Sequence, residues 1–155
     1  MPTRDTKSEF VYVLYIATTP KKLWTALTNS EYTRKYFFGM RVTSDWTLGS
    51  TIEYRTPDGG LDVHGEILEC EPGQRLSFSF KHPLDPRWRK QPSRVAFGIK
   101  QMGEMVKLTV RHDHLIPEDW EDSTNTFRGL NNGWPVILSS LKSVLETGTP
   151  LPAKL

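Results

Sequence analysis

Alternation of apolar and polar residues through the middle of the chain is the feature that most limits its fold. In "RLSFSF" (75–80), apolar residues fall on one face and serines on the other. The stretches "RVAFGIK" (94–100) and "MVKLTVRH" (105–112) repeat this pattern, and His112 falls on the apolar side. A period of two predicts strands with one buried face, which is typical of antiparallel sheets.

Further strands are indicated before this region. Residues 41–46, 50–55 and 61–70 also alternate, and the turn signals Leu-Gly and Pro-Asp-Gly-Gly separate them. The stretch "FVYVLYI" (10–16) is β-branched and aromatic throughout, so it predicts a strand buried on both faces.

Two short helices are predicted after the first strand. In "ATTPKKLWTALTN" (17–29), a threonine precedes Pro20, which is the usual start of a helix. Ser30 is the candidate N-cap of the second helix. The chain therefore begins with a strand and two short helices before the run of alternating strands.

The last element predicted is a long helix. From Phe127 to Leu145, apolar residues recur at steps of three and four, which predicts a helix from about Thr124 to Glu146. At 1.5 Å per residue it would be about 34 Å long. Because Pro135 cannot donate a backbone hydrogen bond, we expect a bend at 133–135. The alternative is a helix that begins at Trp134, with Pro135 in its first turn.

Composition favours one soluble cytoplasmic domain. The net charge of the 155 residues is only +2, which gives no support for binding nucleic acid or a membrane surface. Cys70 is the single cysteine, so an intrachain disulfide is excluded and a reducing compartment is expected. No apolar stretch is long enough to span a bilayer. We expect one domain over residues 1–155, with its core at about 8–148.

Four stretches carry a resemblance to a known family: residues 17–29, "SDWTLGSTIEY" (44–54), "HGEILECEPGQRLSFSF" (64–80) and "NNGWPVILSSLKSVLETG" (131–148). Together they resemble the family built on the C-terminal domain of the activator of the heat-shock-protein-90 ATPase, within the START-like (SRPBCC) superfamily. The resemblance implies an α+β helix-grip fold, in which a curved antiparallel sheet surrounds a long C-terminal helix. The eukaryotic co-chaperone has a further N-terminal domain that 155 residues do not accommodate, so ATPase activation is not carried over.

The resemblance also implies an apolar cavity between the sheet and the last helix. We expect Trp134 to cover its mouth or floor, and His112 to serve as a polar anchor inside it. Aromatic and inward-facing positions supply the predicted ligand contacts, which are Trp46, Tyr54, His64, Phe78, Phe80, Phe97, His112, Phe127, Trp134 and Leu138. No catalytic residue, metal or cofactor is predicted.

Two polar groups allow a chemical interpretation beside a plain structural one. His112 and His114 lie two residues apart and, with His64, have the composition of a three-histidine metal site. Ordinary polar residues at a strand end are the favoured alternative, because no acidic ligand supports a metal. Glu66 can act as an acid or base only if its strand turns it inward, and either face of residues 61–70 suits the core.

The predicted function is that of a protein that binds a small apolar molecule. The chain is expected to be a monomer or homodimer. One alternative is a protein-interaction module, such as a chaperone cofactor or a stress-response regulator. For that alternative, residues 81–94 are rich in Lys and Arg around Trp88 and form either a docking loop for an acidic partner or a solvated connection. The other alternative is a cyclase- or hydrolase-type enzyme of the same superfamily.

Overall fold

The computed structural model describes residues 8–83 and 85–152, and one antiparallel sheet dominates it. Its strands are β1 (Glu9–Ile16), β2 (Arg41–Ser44), β3 (Thr51–Arg55), β4 (Leu61–Glu71), β5 (Arg75–Phe80), β6 (Ser93–Met102) and β7 (Met105–Asp113). Seven strands pair in the order β1-β7-β6-β5-β4-β3-β2. The helices are α1 (Pro20–Thr28), α2 (Ser30–Tyr36) and α3 (Leu130–Thr147), with a short 3₁₀ helix at Pro117–Trp120. The predicted α+β helix-grip fold is confirmed.

The first strand lies at an edge of the sheet, and its outer face is open. Val11, Val13 and Tyr15 are exposed, so the prediction that this strand is buried on both faces is wrong. The reason is that only one face of β1 joins the core, through Phe10 and Ile16, so the alternate side chains point away from it. The end of the strand is covered, because Lys142 Nζ donates to the Tyr15 carbonyl at 2.7 Å.

The two short helices begin close to the predicted positions. Thr19 caps α1 by accepting a hydrogen bond from the Lys22 amide at 3.2 Å, and Pro20 is the first helical residue, as expected. The cap of α2 is Asn29 rather than Ser30, because the Asn29 side chain accepts from the Glu31 amide at 2.8 Å. Asn is as good a cap as Ser, so sequence preference alone did not separate them.

The C-terminal helix α3 is shorter than predicted and encloses Pro135. Its 18 residues span about 27 Å, and it begins at Leu130 rather than at about Thr124. The alternative start at Trp134 is also wrong, since one helical turn precedes Pro135. Gly129 explains the start: its φ is +103°, and a Cβ there would lie 2.0 Å from Asp122 Oδ1. The chain therefore turns sharply immediately before the helix.

One face of α3 and the inner face of the sheet form the core. Strand β4 contributes Val63 and Ile67 to it, while Glu66 is exposed. Successive strand residues point to opposite faces, so His64 and Glu66 lie on the outer side of β4. This settles the face that the sequence left open. In the described part of the chain, no helix combines the length and the apolar character needed to cross a membrane.

Candidate functional site

A buried chain of hydrogen bonds joins α3 to three strands of the sheet. The indole Nε1 of Trp134 donates to His112 Nδ1 at 3.0 Å. His112 Nε2 lies 2.8 Å from Ser93 Oγ, and Ser93 Oγ donates to the Phe80 carbonyl at 2.9 Å. Trp134, His112 and Ser93 are all buried. The chain of contacts links the helix to the ends of β7, β6 and β5.

The direction of these hydrogen bonds assigns the proton on His112. An indole N–H can only donate, so Nδ1 must accept and the imidazole proton resides on Nε2. That N–H donates to Ser93 Oγ, and the Ser93 hydroxyl in turn donates to the Phe80 carbonyl. Burial lowers the pKa of His112 to about 4, so the ring is neutral at physiological pH. Every polar atom of the imidazole is thereby satisfied.

This arrangement does not form a nucleophile and general base, although a serine and a histidine are in contact. A serine nucleophile must pass its proton to an unprotonated imidazole nitrogen. Here Nε2 of His112 already carries a proton and donates it to Ser93. Activating Ser93 would require the ring to change tautomer and to give up its hydrogen bond from Trp134. The geometry favours a fixed polar anchor over catalysis.

Aromatic side chains fill the space between α3 and the middle of the sheet. The Trp134 ring lies 6.0 Å from Phe37, 6.1 Å from Phe97 and 6.3 Å from Phe80, between ring centroids. Tyr54 stacks on Phe37 at 4.8 Å. Trp134 thus has aromatic neighbours on several sides, as a core residue does.

A cavity opens at one end of this aromatic core. Its volume is about 610 Å³, and its walls come from the β5–β6 connection, the 3₁₀ helix and the start of α3. The lining residues are Phe80, His82, Asp85, Pro86, Ser93, His112, Glu118, Asp119, Glu121, Arg128, Gly129 and Leu130. The floor is therefore apolar apart from the His112–Ser93 pair, and the rim is charged.

A buried arginine ties two walls of the cavity together. Arg89, in the β5–β6 connection, pairs with Asp119 of the 3₁₀ helix and donates to the His114 carbonyl at 3.3 Å. Its Nε lies 3.8 Å from Asp85 Oδ1. The Arg89 side chain is only 4% exposed, so this ion pair acts away from bulk water.

The third wall, at the start of α3, is fixed by Asp122. The carboxylate of Asp122 accepts from the backbone N–H of Asn131 at 3.3 Å and from Asn131 Nδ2 at 3.0 Å. Asn132 Nδ2 reaches back to the carbonyls of Ser123 and Arg128 at 2.8 and 2.9 Å. The residues before the helix are thereby folded against its first turn.

A second cavity of about 630 Å³ lies on the outer face of the sheet. Small residues of β5, β6 and β7 form its base, and charged pairs such as Arg94–Asp113 rim it. Its buried polar residue is Ser77, which donates to Glu69 Oε1 at 3.0 Å, whereas the buried pair of the first cavity is bonded to α3 through Trp134. The first cavity is therefore the better candidate site.

Two of the predicted ligand contacts line the first cavity, namely Phe80 and His112. Five lie in the core beside or beyond them: Tyr54, Phe78, Phe97, Trp134 and Leu138. Three are half-buried elsewhere: Trp46 follows β2, His64 is on the outer side of β4, and Phe127 stacks on Phe38. Ligand contact stays a prediction for all ten.

The histidines considered as a metal site are not brought together. His114 lies beyond the end of β7 with a φ of +58° and is exposed, whereas His112 is buried. His64 lies on the outer face of β4. No group of three His, Cys, Asp or Glu side chains suited to a metal occurs within residues 8–83 and 85–152.

Several cavity residues were missed from the sequence. Ser93 had a signal, because it lies two residues before the inward-facing Val95 and therefore shares its face. Arg128 had none, because it is a polar position in the predicted helix, and Glu118 and Glu121 had none, because they lie in a stretch without periodicity. Only the fold brings that stretch beside β5 and β7.

Comparison with known proteins places the chain in a family. Residues 17–146 match the family described as activator of Hsp90 ATPase homolog 1-like protein. No curated protein matches the sequence.

Solved structures share the fold at low sequence identity. The Aha1 dimer from Colwellia psychrerythraea is 21% identical with a TM-score of 0.68, over 90% of this chain and 97% of that chain. A protein from Mesorhizobium loti is 22% identical with a TM-score of 0.70, over 88% of this chain and 96% of that chain. An HSP90 activator from Plasmodium falciparum is 17% identical with a TM-score of 0.69, over 90% of this chain and 96% of that chain.

The order of elements, the sheet closed on α3 and the family match over most of the chain agree with one another. This protein belongs to the family of activator of Hsp90 ATPase homolog 1-like proteins.

Proposed function

We propose that this chain is a cytoplasmic protein that binds a small, largely apolar molecule in the cavity above His112 and Ser93. The observation that carries the proposal is a cavity of about 610 Å³ with apolar side chains and a buried polar anchor at its floor. Pockets for small molecules typically enclose about 300–1,000 Å³ and combine apolar lining with a few fixed polar groups. The unpaired Cys70 suits a reducing compartment.

The residues of the cavity floor support this role in two ways. Phe80 and Leu130 offer apolar surface whose burial by a ligand is favourable. Ser93 and His112 are held by hydrogen bonds before any ligand arrives, so little ordering is needed on binding. Such a floor orients a ligand, while the walls select for size and shape.

Binding of a neutral apolar fluorophore tests the proposal. Titration with N-phenyl-1-naphthylamine should raise its fluorescence in a saturable way. In the unmodified protein labelled with ¹⁵N, the same titration should shift the amide resonances of Ser93, Glu118 and Leu130. These residues come from different elements and are brought together only by the cavity. Shifts confined to the outer face of the sheet would place the site elsewhere and contradict the proposal.

A cavity-filling variant provides the matched comparison. Leu130→Trp should fill the cavity and weaken binding of the fluorophore by about tenfold or more, roughly 1.4 kcal/mol. Leu48→Trp makes the same change at a residue that is 71% exposed and does not line the cavity, so its affinity should be unchanged. Equal affinity in both variants would contradict the assigned site.

A protein-interaction role is the second candidate, and Trp88 favours it. Its side chain is 56% exposed in the β5–β6 connection, with Arg87 and Lys90 exposed beside it. Exposed Trp and Arg residues often dominate the binding energy of protein interfaces. If the partner is a second copy, sedimentation equilibrium should show a dimer that Trp88→Ala weakens. An unchanged oligomeric state in Trp88→Ala would exclude Trp88 from such an interface.

A further inference from the structure

The buried floor of the cavity can accept hydrogen bonds but has none left to donate. Both nitrogens of His112 are engaged, one accepting from Trp134 and the other donating to Ser93. The Ser93 proton is directed to the Phe80 carbonyl. A hydroxyl oxygen has two lone pairs, so Ser93 Oγ keeps one acceptor position. A ligand group that reaches this floor must itself supply the proton.

The rim of the cavity has an excess of negative charge. Four carboxylates line it, those of Asp85, Glu118, Asp119 and Glu121, against the two basic side chains of His82 and Arg128. Arg89, behind the wall, pairs with Asp119 and lies near Asp85. His82 is paired with Asp62, and this hydrogen bond raises the pKa of His82.

Two of these carboxylates are available to a ligand. Among the described residues, neither Glu118 nor Glu121 has a side-chain ion pair, and both are exposed at the opening. A cation that enters the opening gains their attraction. Arg128 is the opposing charge at the rim, and two carboxylates against one guanidinium still favour a cation over an anion. The rim thus favours a positively charged group and the floor favours a hydrogen-bond donor, and a protonated amine is both.

We propose that the ligand is an apolar molecule with a hydrogen-bond donor at its polar end, and that a protonated amine is preferred over a carboxylate. The apolar body would lie against Phe80 and Leu130. The donor would meet either Ser93 Oγ at the floor or the Glu118 and Glu121 carboxylates at the opening. This inference rests on the proposed function, since it specifies the ligand class of the same cavity.

Three matched probes test this preference: octylamine, octanol and octanoate, measured by calorimetry near pH 7.5. They share one alkyl chain and differ only in the polar end, which is a cation, a neutral donor and an anion. The expected affinity order is octylamine, then octanol, then octanoate. The advantage of octylamine over octanol should be about fivefold to tenfold at low salt, and it should shrink at high salt.

Removing the rim charge should abolish the advantage of the amine. The double variant Glu118→Gln/Glu121→Gln should bind octylamine about as weakly as octanol, with octanol unchanged. The control Glu71→Gln/Glu104→Gln makes the same change in net charge at exposed residues outside the cavity. It should keep the preference for octylamine.

The outcomes separate this inference from the proposed function. Octanoate binding as tightly as octylamine would overturn the inference, while saturable octanol binding would leave the proposed function standing. The inference would also be overturned, and the proposed function left standing, if Glu71→Gln/Glu104→Gln lost the preference for octylamine as fully as Glu118→Gln/Glu121→Gln does. Failure of all three probes and of the neutral fluorophore would overturn both.

Discussion

At the scale of single residues, Trp134 determines what His112 can do. The indole N–H donates a hydrogen bond to His112 Nδ1, with 3.0 Å between the two nitrogens, so the imidazole proton must lie on Nε2. Aromatic rings surround the pair, with Phe80 5.0 Å from His112 between ring centroids. Protonating His112 would add an uncompensated charge in this setting and would force Nδ1 to stop accepting from Trp134. The ring is therefore held neutral by burial and by its partner.

The first prediction at this scale concerns stability against pH. The pKa of His112 is about 4 in the folded protein and about 6.5 in an unfolded chain. Between these values the unfolded chain binds more protons, so the free energy of unfolding should fall as pH decreases from about 6.5 to 4. The loss should be on the order of 3 kcal/mol and should level off below pH 4. Urea denaturation across this range measures it.

The variant His112→Gln isolates that contribution. Glutamine can still accept from Trp134 and donate to Ser93, but it does not titrate. The difference between the two pH profiles cancels the groups that both proteins share. These include His82, whose raised pKa acts in the opposite direction, adding stability at low pH that is lost as pH rises. Parallel profiles would show that His112 does not contribute.

At the scale of elements, strands β4 and β5 approach so closely that one residue must lack a side chain. A Cβ on Gly65 would lie 1.7 Å from the Ser79 carbonyl oxygen. The approach is held on both sides, since Ser79 Oγ accepts from the Glu66 amide at 2.9 Å and the His64 amide donates to Lys81 at 3.0 Å. The pairing register also shifts between Ile67 and Glu69. Gly65 therefore permits the close approach of β4 to the end of β5, where Phe80 lies.

Gly65→Ala should consequently be strongly destabilising. Backbone rather than a flexible side chain blocks the new methyl group, so the cost should be about 3 kcal/mol or more. Gly98→Ala is the matched control, because a Cβ at that strand position meets nothing closer than 3.9 Å. It should be neutral or stabilising by up to about 1 kcal/mol. Similar denaturation midpoints for the two variants would contradict this account of the β4–β5 contact.

At the scale of the whole molecule, periodicity predicted the sheet and the helix but not the site. The alternation through β5, β6 and β7 is a local property, so it correctly placed Phe78, Phe97 and His112 on the inner face. The start of α3 was misplaced because the apolar spacing of Phe127 continues the helical stripe. A contact between Gly129 and Asp122, seven residues before it, sets the start of the helix, and the apolar spacing does not report it.

The cavity depends on a contact between segments that are farther apart. The β5–β6 connection and the 3₁₀ helix lie far apart in sequence. The described residues of the connection form no helix or strand, and the 3₁₀ helix has only four residues. Arg89 joins them through Asp119, while Asp119 also accepts from the Ile116 amide at 3.0 Å. The sequence of this basic connection is compatible with either a solvated loop or a docking loop. The fold instead buries one of its arginines and leaves its tryptophan exposed.

Arg89→Met should therefore open the cavity walls without unfolding the sheet. Removing one partner of a largely buried pair should cost about 2–4 kcal/mol, less than for a fully buried pair because the Asp119 side chain is 24% exposed. Arg94→Met is the control, since Arg94 pairs with Asp113 while 45% exposed, and its cost should be at most about 1 kcal/mol. Hydrogen exchange should accelerate at the Ile116 and Asp119 amides in the first variant only, with strand β6 unchanged. Equal costs, or faster exchange throughout β6 and β7, would mean that Arg89 supports the whole fold and not the cavity in particular.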